Sequence, residues 1–67
     1  MSWNYRVVKR NCNGEYCFKI EEVYYDEYGN INGYGEASAP CGEDVEEIRT
    51  FLELMANALK KEFIDLT

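Results

Sequence analysis

Residues 3 to 10 alternate Trp3, Tyr5 and Val7 on one side with Asn4, Arg6 and Arg10 on the other, the two-residue period of a half-buried strand. Asn13-Gly14 follows. A type I′ turn needs positive φ at both central residues, so this dipeptide predicts a tight hairpin. The returning strand is expected over residues 15–25. With Asn13 and Gly14 as the loop, paired positions sum to 27, which sets Val7 opposite Ile20, Trp3 opposite Tyr24 and Arg6 opposite Glu21. That register gathers Trp3, Tyr5, Val7, Phe18, Ile20 and Tyr24 on one face, the expected core, and leaves the other face polar.

Asp26-Glu27-Tyr28-Gly29-Asn30 predicts a second turn of type I closed by Gly29 in the left-handed region, with a bulge. A third strand runs from Ile31 to about Ala37. Its facing stays open, because the bulge decides parity and Gly33 and Gly35 carry no side chain. The two glycines point to close approach by the helix or by an aromatic ring of the neighbouring strand. Pro40 ends the sheet, and Asp44 with Glu47 three residues on reads as a capping box. The helix is expected from Val45 to Lys61. Val45, Ile48, Leu52, Met55 and Leu59 step by 3, 4, 3 and 4 as its core-facing stripe. Phe51, Leu54 and Ala58 widen that stripe beyond what one sheet covers, so either Phe51 tucks into the edge of the core or the three form an exposed strip for a second copy or a partner. Residues 62 to 66 either continue the helix or form a short fourth strand.

The fold class is therefore α+β, a three-stranded antiparallel meander followed by one amphipathic helix packed on one face, as a single domain over residues 1–67. At 67 residues there is room for one core, and a domain of this length buries only roughly 60% of its unfolded surface. An apolar fraction of 46% is a globular composition. The opening Met1-Ser2-Trp3-Asn4 has no basic or apolar leader pattern, and no apolar run approaches the ~20 residues of a membrane span. A cytoplasmic protein is expected. The three cysteines Cys12, Cys17 and Cys41 are odd in number, and with no leader they read as reduced thiols.

Thirteen acidic residues against seven basic give a formal charge of −6, and the basic residues are dispersed. Direct nucleic-acid binding is disfavoured, because phosphate neutralisation needs clustered positive charge. An acidic surface attracts a basic protein partner instead. The absence of histidine removes the commonest general base and metal ligand, so no enzyme, metal or cofactor is expected. The cysteines lack the paired short spacing of structural zinc sites. Asp26 to Asn30 is too short for a calcium loop. Tyr25, Tyr28 and Tyr34, around the second hairpin, remain as recognition candidates beside Phe51, Leu54 and Ala58, since tyrosine is enriched at interfaces.

Three strands followed by Gly42-Glu43-Asp44-Val45-Glu46-Glu47-Ile48, opening a helix with Leu52-Glu53-Leu54 and Ala58-Leu59, resemble the N-terminal domain of HicB-type antitoxins. There three strands lead to a Gly-Asp-Thr/Ser-x-Glu-Glu-Ala helix start. The resemblance implies a compact partner-binding module. The expected function is a non-enzymatic interaction module, homodimeric through the helix flank and the tyrosine-rich hairpin. The alternative is an acidic, antitoxin-like inhibitor of a nucleic-acid-handling partner.

Overall fold

A computed structural model describes residues 2–67 of the chain. Its strands are β1 (Ser2–Cys12), β2 (Glu15–Tyr25), β3 (Ile31–Glu36) and β4 (Ile64–Asp65), with helix α1 (Val45–Ala56) and a 3₁₀ segment (Asn57–Lys60) between β3 and β4. They form one mixed sheet in the order β3-β2-β1-β4, in which β4 runs parallel to β1. The fold is α+β: the expected meander and helix, with the C-terminal residues supplying a fourth strand.

The first hairpin follows its turn chemistry. Asn13 and Gly14 have φ of 54° and 85°, the pair of positive values a type I′ turn requires. The strands zip from Cys12↔Glu15 to Ser2↔Tyr25 and include Arg6↔Glu21, Val7↔Ile20 and Trp3↔Tyr24, the register set by the two-residue loop. From a two-residue loop, hydrogen-bonded pairs begin at the flanking residues and alternate. Even-numbered residues of β1 therefore bond β2, while odd-numbered ones direct both backbone groups to the opposite edge. There the N–H of Leu66 donates to the carbonyl of Lys9 at 3.0 Å.

In the second turn the Asp26 carboxylate accepts from the N–H groups of Tyr28 and Asn30 at 2.9 and 3.0 Å, and Gly29 takes φ of 82°. The register shifts between Tyr24 and Tyr25. That bulge settles the facing of β3: Tyr34 lies opposite Val23, and Gly33 and Gly35 lie opposite Tyr24 and Glu22. The Tyr24 ring covers Gly35, where an added Cβ would sit 3.1 Å from Oη and 3.2 Å from Cε2, whereas Gly33 has open space.

The core departs from the expected one. Of the six residues assigned to it, only Tyr5 is buried; Trp3 and Phe18 are exposed. The residues with 0% exposure are Val8 and Val23, on the face that reads as polar. Of the charged residues there, Arg10 and Glu21 pair with each other, while Arg6 bonds two neutral oxygens and its buried Nε has no partner among the described residues. The Arg10 guanidinium grips the buried Glu21 carboxylate at 2.5 and 3.0 Å, and Arg6 donates to Tyr25 Oη at 3.3 Å and to the Glu62 carbonyl at 2.8 Å. Arg6 and Arg10 stand on either side of Val8 on this face of β1.

Helix α1 starts as expected. The Asp44 carboxylate accepts from the N–H of Glu47, and the Glu47 carboxylate accepts from the N–H of Glu43, both at 2.8 Å. The α-helix ends at Ala56 rather than Lys61; the 3₁₀ segment follows, and the backbone becomes extended at Lys61 (φ −117°, ψ 157°) ahead of β4. The expected stripe is also rotated. The least exposed residues are Ile48, Phe51, Met55 and Ala58, and the Phe51 ring lies 6.1 Å from that of Tyr5. Leu52 and Leu59, assigned to the core, face outward.

Cys12 and Cys17, expected as free thiols, form a disulfide across the first hairpin, with Cα atoms 6.0 Å apart; Cys41 is free and exposed. The register explains the pairing. Both lie on one face, Cys17 diagonal to Cys12. By loop-closure entropy so short a loop contributes about 2 kcal/mol. Among the described residues no helix is long and apolar enough to cross a membrane.

Candidate interaction surface

The tyrosine candidates separate on folding. Tyr28, at the hairpin tip, is 79% exposed. Tyr25 is half-buried, and its hydroxyl donates to Asn4 Oδ1 at 2.9 Å while accepting from Arg6. Tyr34 is half-buried, its ring centre 5.4 Å from the Arg10 guanidinium carbon. Tyr25 and Tyr34 thus help to hold the charged layer over Val8 and Val23, and Tyr28 stands alone.

The helix candidates also divide. Phe51 turns inward onto Tyr5, and Ala58 is 1% exposed, so the monomer already uses both. Leu54 is exposed. Because the helical layer rests on Ile48, Phe51 and Met55 of α1 and Ala58 of the 3₁₀ segment, an apolar flank is left on each side. One flank carries Val45, Leu52 and Leu59, at 71%, 50% and 74% exposure. The other carries Leu54.

Leu54 faces a groove of about 380 Å³ between the helical layer and the start of β1, lined also by Trp3, Asn4, Tyr5, Asn57 and Lys61. Trp3 and Tyr5 form its aromatic wall, their rings edge to face at 5.1 Å and 88°. Trp3, Asn57 and Lys61 were not among the sequence candidates. Trp3 was assigned to the core by its alternation, and the other two join the groove only through the helix packing.

A second aromatic cluster lies where β4 meets the sheet. Phe18 and Phe63 are edge to face at 5.0 Å, and the Lys9 ammonium sits 4.5 Å from the Tyr16 ring centre. All three rings are exposed.

Two groups titrate off their ordinary values near the groove. Tyr24 is raised first by its hydrogen bond to the Glu22 carboxylate, and Tyr5 first by burial and then by the Glu22 charge. Both tyrosines are therefore neutral donors or packing groups at neutral pH. The arrangement presents apolar and aromatic surface with one cation, Lys61, and suits binding. Among the described residues no three metal-ligating side chains come together. Comparison of the chain with protein-family models, with curated proteins and with solved structures returns no match in any of the three.

Proposed function

We propose that this chain is a non-catalytic protein-interaction module that self-associates through the flank carrying Val45 and Leu52 of α1 and Leu59 of the 3₁₀ segment. The observation that carries the reading is the exposure of these three aliphatic side chains, at seven-residue steps along the helical segment, in a domain too small to waste apolar surface. A second copy laid on that flank buries it, and association adds stability that a chain of this length lacks. Light scattering over a concentration series tests the reading. The expected result is a dimer that becomes monomeric in Leu52→Glu and Leu59→Glu, both still folded by circular dichroism. A wild-type chain that stays monomeric at high micromolar concentration removes the proposal.

A second reading rests on charge. Glu43, Asp44, Glu46 and Glu47 are all exposed around the start of α1, in a chain of net charge −6. Such a surface suits an acidic, antitoxin-like inhibitor whose basic partner handles nucleic acid. Capture of such a partner that weakens steeply with added salt supports it; capture indifferent to salt argues against it.

A further inference from the structure

The groove beside Trp3 and Tyr5 lies against strand edge that the sheet leaves open. β4 pairs with β1 only at Val8 and Lys9, so the stretch from Ser2 to Arg6 has a strand partner on the β2 side alone, although the 3₁₀ segment also packs against β1. By the hairpin register Trp3 and Tyr5 direct their N–H and carbonyl groups to that open side, where none finds a hydrogen-bond partner among the described residues. Unpaired edge groups of this kind template an added strand.

The surroundings narrow what that strand is. Leu54 and the Trp3–Tyr5 pair give an apolar recess whose volume, about 380 Å³, accepts one or two large side chains. The open edge is stopped at one end, because the chain crosses it at Glu62, whose carbonyl is held by Arg6, and then becomes β4. A strand added along Trp3 and Tyr5 must therefore finish there. At that end is Lys61, next in sequence to Glu62 and without an ion pair among the described residues; Asn57 lines the same groove. An unpaired ammonium at a strand terminus suits a carboxylate.

We infer that the groove formed by Trp3, Tyr5, Leu54, Asn57 and Lys61 binds the free C-terminus of a partner protein, added as a short strand parallel to β1. The partner's terminal carboxylate meets Lys61, and an apolar side chain one or two residues from its end fills the recess. This rests on the interaction-module reading but uses the opposite flank of α1 from the self-association surface.

The test uses the full chain and a random hexapeptide library displayed with free C-termini. Selection is expected to enrich peptides with an apolar residue in the last two positions. The best of them, made synthetically, should shift the emission of Trp3, the chain's single tryptophan. Amidating its C-terminus should weaken binding about tenfold or more, as should Lys61→Glu, and Leu54→Arg should abolish it. Both substitutions are at exposed positions, and circular dichroism checks that the fold is kept. No enrichment over the Leu54→Arg protein, or equal binding of the amidated peptide, overturns the inference. A dimer that Leu54→Arg disrupts without any peptide binding also overturns it, by making a second copy the occupant. A dimer that persists in Leu54→Arg but is lost in Leu52→Glu leaves the proposed function standing whatever the peptides do.

Discussion

Replacing Val8 by alanine and, separately, Val7 by alanine asks which face of the sheet holds the core, with identical chemistry at adjacent positions. Val8 is completely buried, so truncation removes two methyl groups from a closed environment. At about 0.8 kcal/mol per buried carbon that is about 1.6 kcal/mol, and the residual cavity raises the cost to about 2 kcal/mol. Val7 is partly exposed, so the same truncation forfeits less of the transfer energy and opens a site that water already reaches, costing about 1 kcal/mol. In a domain of this size each kcal/mol moves Tm by roughly 4–8 °C. Val8→Ala is thus expected to lower Tm by roughly 8–16 °C, and Val7→Ala by no more than about half as much. Urea unfolding followed by circular dichroism, at one fixed protein concentration, measures both differences. A Val7→Ala loss equal to or larger than that of Val8→Ala refutes the argument and returns the core to the face with Trp3 and Ile20.

Three further outcomes follow from the same geometry. Arg10→Ala strands the Glu21 carboxylate, 3% exposed, without its partner and should cost about 2 kcal/mol in urea unfolding, discounted because Arg10 itself is 36% exposed; adding Glu21→Gln should recover part of that loss. Gly33→Ala should be neutral or slightly stabilising, since nothing lies near its new Cβ, whereas Gly35→Ala drives into the Tyr24 ring and should cost about 1 kcal/mol; equal effects would contradict the facing of β3. Ultraviolet titration should place Tyr24 above the ordinary 10.0, and Glu22→Gln should bring it back down. Because the folded-state value is the higher one, the linked stability is present in full below the unfolded pKa and is lost as pH rises through the folded value.

Turn chemistry and capping were legible in the chain because they depend on neighbours a few residues apart. Asn13-Gly14 admits few alternatives to a type I′ loop, and the loop then determines every pair of the first hairpin. Asp44 and Glu47 likewise announce the start of α1 within one turn. The Cys12–Cys17 pairing was latent in that same register, but counting cysteines gave the opposite answer, since a count carries no geometry.

The candidate site was legible only in part. An apolar arc too wide for one sheet was visible in the sequence, and Leu54 within it proved to face a groove. Which members of the arc turn inward was not visible. A rotation of α1 by a fraction of a turn exchanges Leu52 and Leu59 for Phe51 and Ala58, and periodicity cannot resolve a step that small when both sets are apolar. The groove itself needs residues 3 to 5 beside residues 54 to 61, a proximity created when β4 docks on the far edge of β1.

By itself the sequence determined the three-stranded meander, the start of the helix and the register of the first hairpin, because local backbone preference and a two-residue loop are enough for these. Only the tertiary structure decided which face is dry. Val8 and Val23 look outnumbered among Arg6, Arg10 and Glu21 when read along the chain. In three dimensions Arg10 and Glu21 pair across the strands and Arg6 reaches Tyr25 and the Glu62 carbonyl, while Val8 and Val23 on the same face are left with no exposed surface.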